Sequence, residues 1–165
     1  MPIASSGAYE RAFAFANAAA VVAWLALAKA QFDSEDDRET RKEGKQSSRK
    51  YRSSVYTSVV FAVVITGLCA AYLAIALNAA FARREISFAS LADIRALFAR
   101  DDALFAGWIH YLAFDLLVGE RLGRNERARG VPRAWTVACT LPLTFVAGPI
   151  GACASAIGCR AFGRR

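Results

Sequence analysis

Charge is missing from long stretches of this sequence. No Lys, Arg, Asp or Glu occurs between Ala12 and Ala28, between Val55 and Ala82, or between Ala134 and Cys159. Asn and Gln are scarce too, so these stretches lack the polar surface of a soluble domain. There is one histidine, and one histidine cannot supply two haem ligands without a dimer. The four cysteines, Cys69, Cys139, Cys153 and Cys159, have no CxxC partner and sit in apolar stretches. They read as small packing residues, with no disulfide and no metal site expected. No Arg- and Ser-rich transit segment precedes the first apolar stretch.

What remains is an alternation of apolar spans and charged connections, the pattern of a polytopic membrane protein. The chain of 165 residues is one domain's worth of material. Four spans are expected, at about 12–30, 55–82, 103–119 and 134–162, each a helix because lipid offers the backbone no partners. The fold class is therefore all-α, one four-span membrane domain. The first span reads as retained: Ala28-Lys29-Ala30 resembles a cleavage site, but the leader before it is almost uncharged.

The net charge of +7 follows the positive-inside rule better than it follows nucleic-acid binding. With four spans, the connections at 31–54 and 120–133 share a side, and with Lys29 they carry 13 of the 21 Lys and Arg. Both termini are then expected on the other side. The 31–54 segment, acidic first and basic after, cannot bury a core and is expected as a mobile loop. The connection before the third span differs. Ser90-Leu-Ala-Asp93 starts like a capping box, and Leu91, Ile94, Leu97 and Phe98 follow at helical spacing. A short amphipathic helix over about 90–100 is expected in the interface, with Asp101 and Asp102 capping the third span.

In the fourth span, Thr136, Thr140 and Thr144 recur every four residues, and Gly148 and Ala152 continue the stripe, so another helix can approach closely. Pro142 and Pro149 each remove one backbone hydrogen bond, freeing the carbonyls of Ala138 and Phe145.

The third span, GWIHYLAFDLLVG at 107–119, carries the chemistry. An ionised Asp near mid-membrane costs about 2.5–3.5 kcal/mol, so His110 and Asp115 mark a functional polar site, or else Asp115 lies near the headgroups, snorkelling toward Glu120 and Arg121, and His110 bonds a carbonyl or Asn17 on another helix. Five residues are about 140° of helix rotation, so the two face different neighbours. Tyr111 and Asp115, one turn apart, share a face, and the Tyr111 hydroxyl is expected to meet Asp115. His110, Asp115 and Tyr111 are the candidate catalytic residues. Trp108, Phe114, Asn17, Thr140 and Thr144 are expected to line a binding pocket.

Four blocks carry a resemblance: FANAAAVVAW (15–24), LFARDDALFAGWIHYLAFDLLVG (97–119), GVPRAW (130–135) and LTFVAGPIG (143–151). In this order they resemble the abscisic-acid-deficient-four family of plants and algae, which also has bacterial members. The long charged first loop and the small residues of ACASAIGC depart from the family's pattern. The resemblance implies xanthophyll metabolism, in which plant members are required to make neoxanthin from violaxanthin. That conversion is an isomerisation: an epoxide opens, a neighbouring polyene carbon loses a proton, and an allene and a hydroxyl result. It requires an acid and a base but no redox cofactor. Expected partners are membrane lipid and a carotenoid, in a plastid membrane of a photosynthetic eukaryote or a bacterial plasma membrane. Two other readings fit the residues. One is a non-enzymatic carotenoid-binding or assembly subunit, with a protein partner in a pigment–protein complex; the other is a small transporter.

Overall fold

The computed structural model describes the backbone of residues 6–42, 48–82 and 86–164, and the side chains of 7–32, 57–82 and 86–164. All its regular structure is helical: α1 (Ser6–Lys42), α2 (Ser48–Phe81), α3 (Leu91–Phe98), α4 (Asp101–Arg129), α5 (Arg133–Trp135), a π-turn (Thr136–Thr140), α6 (Leu141–Val146) and α7 (Gly148–Ala161). Among the described residues, three helical segments are long and apolar enough to cross a membrane: Gly7–Phe32, Thr57–Phe81 and Asp101–Arg129. They mark the chain as a membrane protein.

These three pack antiparallel in chain order. α1 turns Ala16, Ala20, Ala23, Trp24 and Leu27 inward, a three-and-four spacing that makes one helix face. α4 meets it with Phe105, Ile109, Leu112, Ala113 and Leu116, and α2 contributes Leu68. Small residues set the approach. A Cβ on Gly119 would lie 2.5 Å from the ring of Trp24, so the indole needs that glycine. α2 leaves Val59, Val63, Leu73 and Leu77 exposed, as a helix facing lipid does.

Helix ends follow local chemistry, with differences from the sequence reading. Ser90 caps α3 as expected, accepting from the Asp93 amide at 3.1 Å. α4 begins differently: Arg100 is the N-cap residue, and Asp101 and Asp102 lie inside the first turn. Asp102 accepts a two-pronged bond from Arg100 at 2.9 and 3.2 Å, holding that guanidinium firmly protonated. Both acids still complement the helix dipole. α4 runs ten residues past the expected end at Gly119, so most of the supposed 120–133 loop is helix. It stops at Gly130, whose φ of 74° is the left-handed conformation that ends helices. The 31–54 segment, expected to be irregular, is helical through Lys42 and again from Ser48.

The fourth span needs the largest correction. Residues 133–161 do not form one helix. The chain enters through α5, the π-turn and α6, breaks at Ala147 (φ −159°, ψ 91°), and returns as α7. Both limbs end together: Trp135 Nε1 donates to the Ala154 carbonyl at 3.2 Å, and the Trp135 and Phe162 rings are 5.4 Å apart. The Arg164 amide donates to the Arg129 carbonyl at 2.8 Å. The segment is a helical hairpin packed on the second half of α4, and residue 164 lies at the same end as 120–133. The expectation that both ends of the chain share the other side therefore fails for the C-terminal one. Length explains the return. Twelve residues from Trp135 to Val146 rise about 18 Å, too little for a hydrocarbon core of about 30 Å.

Candidate functional site

Two consecutive turns of α4, from Trp108 to Asp115, look in two directions. His110 faces α2, its ring 5.8 Å from that of Tyr72, and stacks on Phe114 at 4.3 Å. Asp115 faces the hairpin: a Cβ on Gly148 would lie 2.5 Å from its Oδ1. The two ionisable groups do not share a site.

On the hairpin side, Tyr111 and Asp115 meet the two broken helix ends. The Tyr111 hydroxyl donates to the carbonyls of Phe145 (2.8 Å) and Val146 (3.0 Å), the last residues of α6. Phe145 is the carbonyl that Pro149 leaves without a backbone donor. Asp115 lies near the same hydroxyl and beside the first residue of α7. A donor on the carbonyl end of one helix and a carboxyl at the amide end of the next complement both dipoles. One carboxylate oxygen, Oδ2, is buried without a hydrogen-bond partner. Trp108 continues this face toward α1, donating to Asn17 Oδ1 at 3.1 Å while its ring lies 5.4 Å from those of Phe13 and Tyr111. Asn17 in turn donates to the Phe13 carbonyl at 2.8 Å.

Three turns further along α4 is a residue that sequence reading passed over. Glu126 is fully buried, and its two oxygens accept from Thr136 Oγ1 (2.6 Å) and Thr140 Oγ1 (2.8 Å). Thr144, also fully buried, donates to the Thr140 carbonyl at 2.7 Å. Thr140 and Thr144 are thus enclosed between α4 and the hairpin. The π-turn that presents Thr136 and Thr140 lies just ahead of Pro142, which cannot bond the Ala138 carbonyl. A spacing of three and four from Trp108 through Tyr111, Asp115, Gly119 and Leu122 reaches Glu126. That periodicity was the available signal, hidden because Glu126 looked like part of a charged loop.

On the other side of α4, a cleft of about 280 Å³ opens between α2, residues 86–88, α3 and the start of α4. Its walls are apolar, with Ile75, Ala79, Phe88, Leu97, Phe98 and Gly107 prominent. Phe98 lies over Gly107, where a Cβ would come within 2.7 Å of its ring. The cleft has polar groups only toward its two ends. The Arg100–Asp102 pair stands at one, and His110 with Tyr72 at the other. The two ends are ten residues apart along the chain, about 15 Å of helix. An imidazole and a phenol facing one apolar cavity can move protons to and from a bound molecule without a metal. Nothing in the sequence singled out Tyr72, which stands in the most apolar helix without an ionisable neighbour in sequence.

The expected site residues therefore fall into three places. His110 and Phe114 pack together on the α2 side, with His110 alone among them lining the cleft. Asn17, Trp108, Tyr111 and Asp115 form a connected line toward α1 and the hairpin tip. Thr140 and Thr144 lie inside the hairpin contact.

Comparison with curated proteins and with solved structures finds no match. A family model does match, covering residues 11–154 of the 165 and so taking in most of α1, all of α2, the cleft, the hairpin tip and Glu126. By that match the chain belongs to the ABA DEFICIENT 4-like family.

Proposed function

We propose that this membrane protein acts on an epoxy-xanthophyll, opening the ring epoxide to an allene and a hydroxyl, the isomerisation that converts violaxanthin to neoxanthin. The observation carrying this reading is the cleft, an apolar cavity with an ion pair at one end and a histidine–tyrosine pair at the other. A xanthophyll end group, an apolar ring bearing a hydroxyl and an epoxide close together, suits an apolar cavity with the histidine–tyrosine pair at its inner end. In this reading the polyene extends along the exposed apolar face of α2 into lipid. Neutral His110 takes the proton from the polyene carbon next to the ring. Electrons from that C–H bond form the second double bond of the allene, and the epoxide C–O bond breaks. The Tyr72 hydroxyl protonates the leaving oxygen, and the imidazolium returns a proton to the phenolate. Atoms and charge balance, with no oxidant or reductant.

Asp115 and Tyr111, expected at the sequence level to share the chemistry, act here by holding the hairpin tip. Trp108 and Asn17 brace the same face, and Phe114 fixes the imidazole plane by stacking. The membrane is a plastid membrane in a photosynthetic eukaryote or the plasma membrane in a bacterium.

The test is turnover of violaxanthin in membranes holding matched amounts of folded protein. A general acid or base contributes roughly 10² to 10⁴-fold. His110→Gln and Tyr72→Phe should each lose about that factor, some 3–5 kcal/mol of barrier. Asp115→Asn should lower folded yield more than turnover per folded molecule. Undiminished turnover in the His110→Gln/Tyr72→Phe double variant would move the protein to the class of carotenoid-binding accessory subunits.

A further inference from the structure

The C-terminal ends of α4 and α7 meet at one end of the bundle and bring arginines with them. Arg121, Arg127 and Arg129 come from α4, Arg160 from α7, and Arg164 from the segment beyond it. None of the five forms an ion pair with a described residue. Arg129 spends one donor on Asn125. Arg124 pairs with Glu120, and Glu126 is turned inward onto two threonines. The bond from the Arg164 amide to the Arg129 carbonyl sets these two arginines side by side, and the Arg164 side chain packs against Gly130. Arg121, Arg129, Arg160 and Arg164 are exposed.

Part of this charge complements the two helix ends, each worth about half a negative charge. Even with a full negative charge on Glu126 counted, an excess of about three positive charges remains. The opposite end shows no such excess among the described residues: Arg100 is paired with Asp102, and Asp93 and Asp101 outnumber Arg95. We infer that the Arg129–Arg164 corner, flanked by Arg160, binds the headgroup of an anionic membrane lipid. The corner lies where a helix long enough to cross the bilayer ends, so its guanidiniums stand at headgroup depth. Guanidinium forks match phosphate oxygens, and basic pockets between helices at a membrane surface hold anionic headgroups. This site is separate from the cleft, and the inference does not depend on the reaction proposed there.

The experiment uses the whole chain in vesicles of phosphatidylcholine alone or with phosphatidylglycerol, and measures which lipid stays bound after detergent extraction. The native protein should retain phosphatidylglycerol preferentially. Arg129→Gln/Arg164→Gln should weaken retention about 25-fold, fivefold for each charge, the equivalent of ~1 kcal/mol apiece. Arg160→Gln, which removes no hydrogen bond, should weaken it about fivefold, and Arg95→Gln at the opposite end should change nothing. Helical circular dichroism confirms folding of each variant. Equal retention of the two lipids, or an equal loss in Arg95→Gln, would overturn the inference. So would displacement of the lipid by millimolar inorganic phosphate, which would mark a general anion site.

Discussion

A methyl group added at Gly151 would run into the Thr144 hydroxyl and its backbone, whereas one added at Gly67 meets nothing within 4 Å. The two glycines look alike in sequence, each inside an apolar run. Their difference gives a residue-scale prediction. Gly151→Ala should destabilise by about 1–3 kcal/mol, the range for overpacking a close contact. Gly67→Ala should stay within about 0.5 kcal/mol of the parent. The midpoint of heat denaturation in detergent, followed by circular dichroism, measures both; equal midpoints would contradict the hairpin contact. At this scale the sequence was legible where one residue creates a need that another meets. Pro149 frees the Phe145 carbonyl, as read from sequence, although the donor that takes it is the Tyr111 hydroxyl, which was expected to meet Asp115. Tyr72 was not legible, because what makes it relevant is a ring 5.8 Å away on another helix.

Between elements, the bond between α4 and the hairpin rests on Glu126 and its threonines. Removing one donor to a buried carboxylate costs roughly 1.5–3 kcal/mol, the value of a hydrogen bond to a charged group. Thr140→Val keeps the shape and deletes that donor, so it should lower stability by about this amount. Glu126→Ala should cost more, because it opens a cavity and strands two hydroxyls. Glu126→Gln, which can both accept and donate, should be the mildest of the three. Fractions of folded protein after graded heating would rank them, and Glu126→Ala melting with the parent would refute the bond. The threonine stripe was readable from its spacing of four, and so was α3 from its Ser90 cap. The partner of the stripe was not. α4 reads as ending at Gly119 because hydropathy falls there, yet helix formation continues wherever neighbouring elements supply contacts.

For the molecule as a whole, apolar length suggested a fourth crossing over 134–162, and contacts made it a hairpin. Hydropathy measures whether a stretch tolerates lipid. It is blind to a reversal at two residues such as Ala147 and Gly148. The reversal strengthens the charge asymmetry: Arg160 and Arg164 join the thirteen basic residues of 29–54 and 120–133, making fifteen of 21 on one side. In a cysteine-free background, Ser47→Cys, Asn125→Cys and Gly163→Cys should label from one compartment and Ala89→Cys from the other. Labelling of Gly163→Cys together with Ala89→Cys would restore a fourth crossing.

The hairpin also fixes a time at which the protein becomes whole. Tyr111, Asp115 and Glu126 are synthesised before the residues at 136–148 that cover them. At about 5–20 residues per second, the interval from Glu126 to Gly151 lasts roughly one to five seconds. Throughout it, the side chains of Tyr111, Asp115 and Glu126 stand without the helices that cover them. A nascent chain held at that stage is the form that a membrane chaperone would meet and a protease would cut. Slow codons placed after residue 126 should therefore lower the yield of folded protein more than the same codons placed after residue 151.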